Sequence, residues 1–203
     1  MTPHPTASAE ATVEHRRRGF TPTDLALVAS FAALISALTY AGAIPVGGAG
    51  VPITLQTLGV ALAACLLGPV RGTAAVLLYL LLGVIGLPVF AEHSSGPGVF
   101  AQPSAGYLIS FPFAALLAGF LVAYVAKAAR TRALVVFLCA ITASILIVHP
   151  FGIAGLMINL DLTFAEALKI DALYWAGDLL KTTIVALVAS EVHRAFPRLL
   201  DRR

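Results

Sequence analysis

Two oppositely charged side chains stand three residues apart inside an otherwise apolar segment near the end of the sequence. Asp178 and Lys181 lie within residues 173–192, where most neighbours are aliphatic. At this spacing both side chains occupy one face of a helix. An ionisable group at membrane depth is costly, so it usually faces the protein interior or a polar cavity and pairs with another charge or with a ligand. The pair is the first candidate for ligand binding; the alternative is a self-neutralising pair that only orients two helices.

The composition predicts an integral membrane protein. Of the 203 residues, 59% are hydrophobic and 11% are charged, and the mean hydropathy is +0.93. A soluble globule of this size needs a more polar surface than such a chain can supply. Residues 1–20 contain three successive arginines, prolines and small residues but no apolar core. We therefore expect a disordered basic tail near the membrane surface rather than a signal peptide, followed by one membrane domain at 21–203.

The elements that must position the charged pair are membrane-spanning helices. A helix needs about 20 mainly apolar residues to cross the hydrocarbon, and shorter ones are tolerated where the protein shields their ends. Proline and Gly-Pro pairs divide the apolar sequence, most sharply at Gly68-Pro69. The six predicted spans are residues 24–44, 53–67, 70–87, 107–126, 133–157 and 175–192. The fold class is thus all-α, with six transmembrane helices.

The distribution of positive charge predicts the orientation. An even number of spans places both termini on one side, and of the 13 Lys and Arg residues only Lys169 and Lys181 would lie elsewhere, which leaves eleven on that side. Because lysine and arginine favour cytoplasmic loops, both termini are expected to be cytoplasmic. The charged pair then lies near the external mouth, about one turn below Trp175.

The segments expected outside differ from those inside. Residues 45–52 and 88–103 are rich in Gly and Pro, which permits unusual backbone conformations close to a ligand. They are candidates for a lid, with plain flexible loops as the alternative. Between the last two spans, Thr163 and Glu166 form a capping-box pattern that predicts the start of a short surface helix.

The sequence lacks the motifs of several other chemistries. No lysine follows glycine and precedes Ser or Thr, so there is no phosphate-binding loop, and any ATP used must be hydrolysed by another chain. The five histidines form no i, i+4 metal-binding pair, and Cys65 and Cys139 sit apart in apolar runs. We expect no enzyme activity, cofactor, metal or nucleic-acid partner.

Small residues form a stripe on the first span. Ala29, Ala33 and Ala37 recur at every fourth position, which lets another helix approach closely. The stripe fits either docking of a partner subunit or packing within the chain's own bundle.

Five motifs occur in order along the chain. They are VPITLQTL at 51–58, LGPVRG at 67–72, YLLLGVIGLPVFA at 79–91, GYL at 106–108 and GDLLK at 177–181. Together they resemble the BioY family, the biotin-binding S components of energy-coupling factor (ECF) transporters. The sequence departs from the family pattern at QPSAGY (102–107), where a Pro-Thr-Gly-Gly-Tyr-like stretch is common, and at YWA (174–176), where a proline-containing lead is usual.

The resemblance implies the ECF S-component fold in the cell membrane and capture of biotin from outside the cell. Its implied partners are a transmembrane coupling protein (the T component) and two ABC ATPases. By the same analogy, Ala29, Ala33 and Ala37 become the face that docks on the coupling protein.

Biotin carries a ureido group with two N–H donors and a carbonyl, an apolar thioether ring, an alkyl chain and a carboxylate. A pocket for it must pair the polar atoms and bury the apolar ones. We expect Asp178 to accept ureido N–H bonds while Lys181 supplies charge and donors; the reverse use, with Lys181 holding the carboxylate, stays open. Thr54 and Gln56 are expected to add hydroxyl and amide contacts.

Four aromatic residues are candidates to pack against the ligand, with an interface belt or bundle packing as the alternative. They are Phe90, Tyr107, Trp175 and, as a weaker candidate, Tyr79.

A second function also fits these residues. In a self-sufficient secondary carrier for biotin or a related small carboxylate, Asp178 and Lys181 would couple the substrate to a proton gradient.

Overall fold

The computed structural model describes residues 19–46, 48, 50–197 and 199–200. Apart from its last two residues, the expected N-terminal tail therefore lies outside the described residues. The rest forms an α-helical bundle with one short β-hairpin.

The helices account for most of the described chain. Their bounds are α1 Pro22–Tyr40, α2 Gln56–Val84, α3 Ala105–Phe120, α4 Ala133–Ala143, α5 His149–Leu160 and α6 Phe164–Ala195. A π-helical segment, Leu121–Val125, continues α3, and another, Ser144–Val148, joins α4 to α5. Within the described residues, five continuous helical stretches are long and apolar enough to cross a membrane: 22–40, 56–84, 105–125, 133–160 and 164–195.

The second of these stretches reverses direction in its middle. Gly68 has a φ of 79°, outside the helical region. A Cβ placed on Gly72 would lie 2.8 Å from the carbonyl oxygen of Ala63, and the side chains of Gln56 and Tyr79 are hydrogen-bonded. In a straight helix, residues 23 positions apart are about 35 Å apart. The two halves of α2 therefore run side by side, and the predicted break at Gly68-Pro69 is confirmed.

The ends of the first two predicted spans form a hairpin instead of helix. Ala43–Ile44 (β1) pairs antiparallel with Ile53–Thr54 (β2), in the register Ala43 to Thr54 and Ile44 to Ile53. Pro45 and Pro52 border the connecting segment. Because proline disfavours helix at the residue before it, Pro45 favours extended backbone at Ile44, the last residue of β1.

The last helix corrects one expectation. The capping box is present, with Glu166 N donating to Thr163 Oγ1 at 3.4 Å and Thr163 N donating to the Glu166 carboxylate at 2.9 Å. The prediction of a separate short surface helix is wrong, because α6 continues without a break for 32 residues. That length is about 48 Å, which exceeds the hydrocarbon thickness of about 30 Å. One helix thus supplies both the surface segment and the span.

Close helix contacts bring the functional elements together. Gly106 on α3 and Gly155 on α5 approach so closely that a Cβ on Gly155 would lie 2.6 Å from the Gly106 nitrogen. A π-helical segment, Ser144–Val148, lies immediately before His149-Pro150, and such a segment accommodates the backbone donor that proline lacks. His149, the first residue of α5, contacts α6 through Asp171.

Candidate ligand-binding site

The predicted ion pair is part of a buried triangle of polar groups. Lys181 Nζ lies 3.0 Å from Asp178 Oδ1 and donates to Thr57 Oγ1 at 3.1 Å. The Thr57 hydroxyl in turn donates to Asp178 Oδ1 at 3.2 Å. Asp178 and Lys181 are 8% and 9% exposed. Because the two opposite charges are paired and hydrogen-bonded, the cost of burying them is largely offset.

A cavity of about 760 Å³, counting the space at its open side, lies next to this triangle. Its size falls within the range of small-molecule sites, roughly 300–1,000 Å³. The predicted site residues among its lining are Thr54, Gln56, Phe90, Tyr107, Asp178 and Lys181. Val51, Thr57, Val99, Phe111 and Tyr174 also line it and were not predicted.

A second cavity, of about 490 Å³, shares Thr57, Asp178 and Lys181 with the first. Its other walls are mainly alanine and valine side chains from the helices around it. The charged pair therefore lies where a polar cavity meets an apolar one. Such a boundary suits a ligand with a polar end and an apolar body.

Behind the cavity wall, Asp171 collects three hydrogen bonds although it has no exposed surface. Its carboxylate accepts from Tyr107 Oη at 2.8 Å, from Trp175 Nε1 at 2.9 Å and from His149 Nδ1 at 2.9 Å. Sequence reasoning missed this residue. The signal was available, since Asp171 lies seven residues, about two turns, before Asp178 and so shares its helix face.

His149 connects the two aspartates. Its Nδ1 lies 2.9 Å from Asp171 Oδ2, so an ionised Asp171 accepts a hydrogen bond from this nitrogen. The other ring nitrogen, Nε2, lies 3.8 Å from Asp178 Oδ2. The three side chains form a continuous polar line from the buried interior to the cavity wall.

Trp175 does not line either cavity. Its ring stacks on that of His149 with centroids 4.8 Å apart, while 41% of the residue is exposed. Trp175 covers the outer side of the Asp171 cluster. Because it lines neither cavity, contact between Trp175 and a ligand remains a prediction.

Tyr79 also lies outside the cavity lining, because it is wholly buried behind Gln56. Gln56 Nε2 donates to its hydroxyl, and that hydroxyl donates to the carbonyl of Val89 at 3.2 Å. The ring of Phe90, which does line the cavity, meets Tyr79 edge to face with centroids 5.5 Å apart. Tyr79 thus supports two lining residues.

The two Gly/Pro-rich segments, residues 45–52 and 88–103, border the cavity. Val51, in the segment between β1 and β2, accepts a hydrogen bond from Tyr174 Oη at 2.9 Å. The segment after α2 forms two 3₁₀ turns, Ala91–His93 and Pro97–Ala101, and buries Phe90 and Val99. Both segments form cavity wall, and their role as a lid remains a prediction.

The small-residue stripe of α1 faces outward. Ala29, Ala33 and Ala37 are exposed, whereas Val28, Ala32, Ile35 and Thr39 are buried against the bundle. Within the described chain, the stripe therefore does not pack inside the bundle. It is a surface of small side chains that another helix can approach closely.

Comparison with known proteins finds similarity over nearly the whole chain. A sequence model of the BioY family matches residues 11–198. The biotin transporter BioY of Rhizobium etli is 37% identical over 182 residues, covering 88% of this chain and 97% of that protein. The biotin transporter BioY of Rhodobacter capsulatus is 38% identical over 189 residues, covering 89% and 98%.

The fold is also similar to that of a crystallised protein, the S-component for biotin from an ECF-type ABC transporter. The TM-score is 0.81 at 27% sequence identity, and the match covers 87% of this chain and 95% of that one.

Proposed function

Because this chain belongs to the BioY family, we propose that it captures biotin outside the cell and delivers it as the S component of an ECF-type ABC transporter. The observation that carries this proposal is the buried Asp178–Lys181–Thr57 triangle in the wall of a ligand-sized cavity. Partner subunits supply the ATP hydrolysis. The chain itself acts as a transport and binding subunit.

The triangle suits one edge of a cyclic urea. A ureido ring presents a carbonyl acceptor directly beside an N–H donor, so it needs a donor and an acceptor side by side. Lys181 Nζ donates two of its three protons, one to Thr57 and one to Asp178. Asp178 Oδ2 accepts no hydrogen bond from the described residues. Lys181 therefore donates its third proton to the ureido carbonyl, and Asp178 Oδ2 accepts the neighbouring N–H.

The apolar part of biotin has matching walls. Phe90, Val99, Tyr107 and Phe111 line the same cavity as the charged pair. Burying the thioether ring and alkyl chain against them contributes about 25 cal/mol per Å² of apolar surface removed from water. The polar edge thereby fixes orientation, and the apolar walls supply most of the affinity.

The reversal in α2 supports the proposed membrane arrangement. With its two halves counted as separate crossings, the five apolar stretches make six spans. An even number of spans puts both termini on one side, and the basic residues that cluster there support a cytoplasmic location for it. The cavity and the Gly/Pro-rich segments then face the outside of the cell membrane.

Coupling to the motor uses the exposed stripe of α1. Ala29, Ala33 and Ala37 dock on a helix of the T component, which carries two ABC ATPases. The exposure of all three alanines supports this assignment. Close approach of small residues is a common basis of helix association in membranes, where hydrophobic driving force is absent.

The experiment that tests the proposal is equilibrium binding of radiolabelled biotin to the purified protein in detergent. We expect saturable binding that unlabelled biotin displaces. Lipoate, which has a similar carboxylate tail but no urea, should not displace it. Absence of saturable binding by folded protein would contradict the proposal, as would equal displacement by lipoate.

A further inference from the structure

The hydrogen bonds around Tyr79 determine which way the amide of Gln56 points. Tyr79 has one hydroxyl proton and donates it to the carbonyl oxygen of Val89 at 3.2 Å. A carbonyl oxygen only accepts, so this proton is committed. The Tyr79 oxygen is then left as an acceptor, which assigns the amide nitrogen to the side of Gln56 that faces it.

The amide oxygen of Gln56 is consequently available to a ligand. Gln56 lines the 760 Å³ cavity, and Oε1 receives no hydrogen bond from the described residues. Among those residues, the buried side-chain atoms without partners are Thr73 Oγ1 and His193 Nδ1. Since Oε1 has no partner and is not among them, it has accessible surface. This unpaired acceptor belongs to a side chain that lines the cavity.

The backbone of Gln56 is also fixed. Its N–H donates to Thr54 Oγ1 at 3.2 Å, at the point where β2 passes into α2. The neighbouring residue on the same helix turn, Thr57, contacts the charged pair. Gln56 and the Asp178–Lys181 pair therefore line the same cavity.

We propose that Tyr79 is a positioning residue that holds Gln56 as a hydrogen-bond acceptor, and that Gln56 Oε1 accepts the second N–H of the cyclic urea. This inference rests on the proposed function. The two N–H groups of a five-membered cyclic urea point away from each other across the ring. One carboxylate cannot accept both, so a ligand bound to Asp178 through one N–H needs a second acceptor elsewhere in the cavity.

Without Tyr79, the amide has no reason to keep this orientation. In Tyr79→Phe, the Gln56 nitrogen loses its acceptor, and turning the NH₂ group into the cavity recovers hydrogen bonds. A donor would then face a ligand donor. We therefore expect Tyr79→Phe to lose its preference for ligands with two ureido N–H groups over ligands with one. The affinity for biotin should fall about 10-fold, the value of one hydrogen bond of this kind.

The test compares biotin with its two N-methyl regioisomers, each lacking one ureido N–H, in binding to the purified full chain. In the wild type, both isomers should bind more weakly than biotin. In Tyr79→Phe, biotin should weaken about 10-fold, whereas the isomer methylated at the nitrogen facing Gln56 should change little. The preference for biotin over that one isomer should therefore disappear, and the preference over the other should persist.

A variant of Gln56 gives an independent measurement. Gln56→Met removes the acceptor from the cavity and should abolish the preference. Tyr174→Phe is the matched control, since it removes another buried tyrosine hydroxyl bonded to a backbone carbonyl. It should weaken biotin and both isomers equally.

Two results would overturn the inference. One is an unchanged preference in Tyr79→Phe or, where that variant does not fold, in Gln56→Met. The other is a uniform loss for biotin and both isomers in Tyr79→Phe, which would indicate a purely structural role. Failure of the proposed function is distinguishable from either result, because the wild type would then bind no biotin at all.

Discussion

Lys181 Nζ lies 3.1 Å from Oγ1 of Thr57, a residue 124 positions earlier in the chain. The same hydroxyl donates to Asp178 at 3.2 Å. Thr57 therefore ties the first turn of α2 to the charged pair of α6 and holds both charges in the cavity wall.

Thr57→Val should weaken biotin binding by about 1.5–3 kcal/mol, because both lost hydrogen bonds involve a charged partner. The measurement is the Kd for radiolabelled biotin. Thr183→Val is the control, since Thr183 is exposed on the same α6 helix and donates only to the carbonyl of Leu179. An unchanged Kd in Thr57→Val would remove this residue from the site.

Asp178→Asn and Lys181→Ala should each weaken binding by about 2–5 kcal/mol, because each leaves the opposite charge buried without its partner. The control is Glu191→Gln, which breaks the exposed pair between Glu191 and Arg194 further along α6. Such surface pairs contribute little, so wild-type affinity is expected there. Wild-type affinity in both site variants, with folding intact, would contradict the proposed site.

Asp171→Asn should lower the free energy of unfolding by about 1–3 kcal/mol. An amide offers one acceptor oxygen, whereas the carboxylate accepts from three side chains. Thermal denaturation in detergent measures the change. Asp161→Asn serves as the control, because Asp161 is exposed and has a φ of 52°, a conformation that asparagine tolerates well. Equal stability of the two variants would show that the Asp171 cluster is not structural.

Ala33→Leu should reduce co-purification with the T component and its ATPases while leaving biotin binding unchanged, because the added bulk prevents close approach of a helix. Leu34→Met is the matched control, since Leu34 is exposed on α1 outside the alanine stripe. Undiminished complex formation by Ala33→Leu would exclude the stripe as the docking face.

Uptake assays in proteoliposomes separate the S-component proposal from the proton-coupled alternative. Reconstituted alone, the chain should accumulate no biotin in response to a pH step. With the T component and both ATPases present, ATP inside the vesicles should drive uptake. Accumulation driven by the pH step alone would favour the secondary carrier.

Several features of this protein were determined by local sequence. The break at Gly68-Pro69 and the capping box at Thr163 depend only on neighbouring backbone groups, so both could be predicted. The alanine stripe and the spacing of Asp178 and Lys181 follow from helical periodicity alone. The family resemblance added the expected ligand, which periodicity could not supply.

The tertiary structure decided which side chains meet. His149 reaches Asp171 across 22 positions, and Thr57 reaches Asp178 across 121. The continuation of α6 through residues 164–195 set Asp171 on the face that carries the charged pair. Folding α2 back on itself placed Tyr79 behind Gln56 rather than in the cavity. Such contacts depend on how helices pack against one another, and a local pattern specifies which face of a helix is buried but not which residues it meets there.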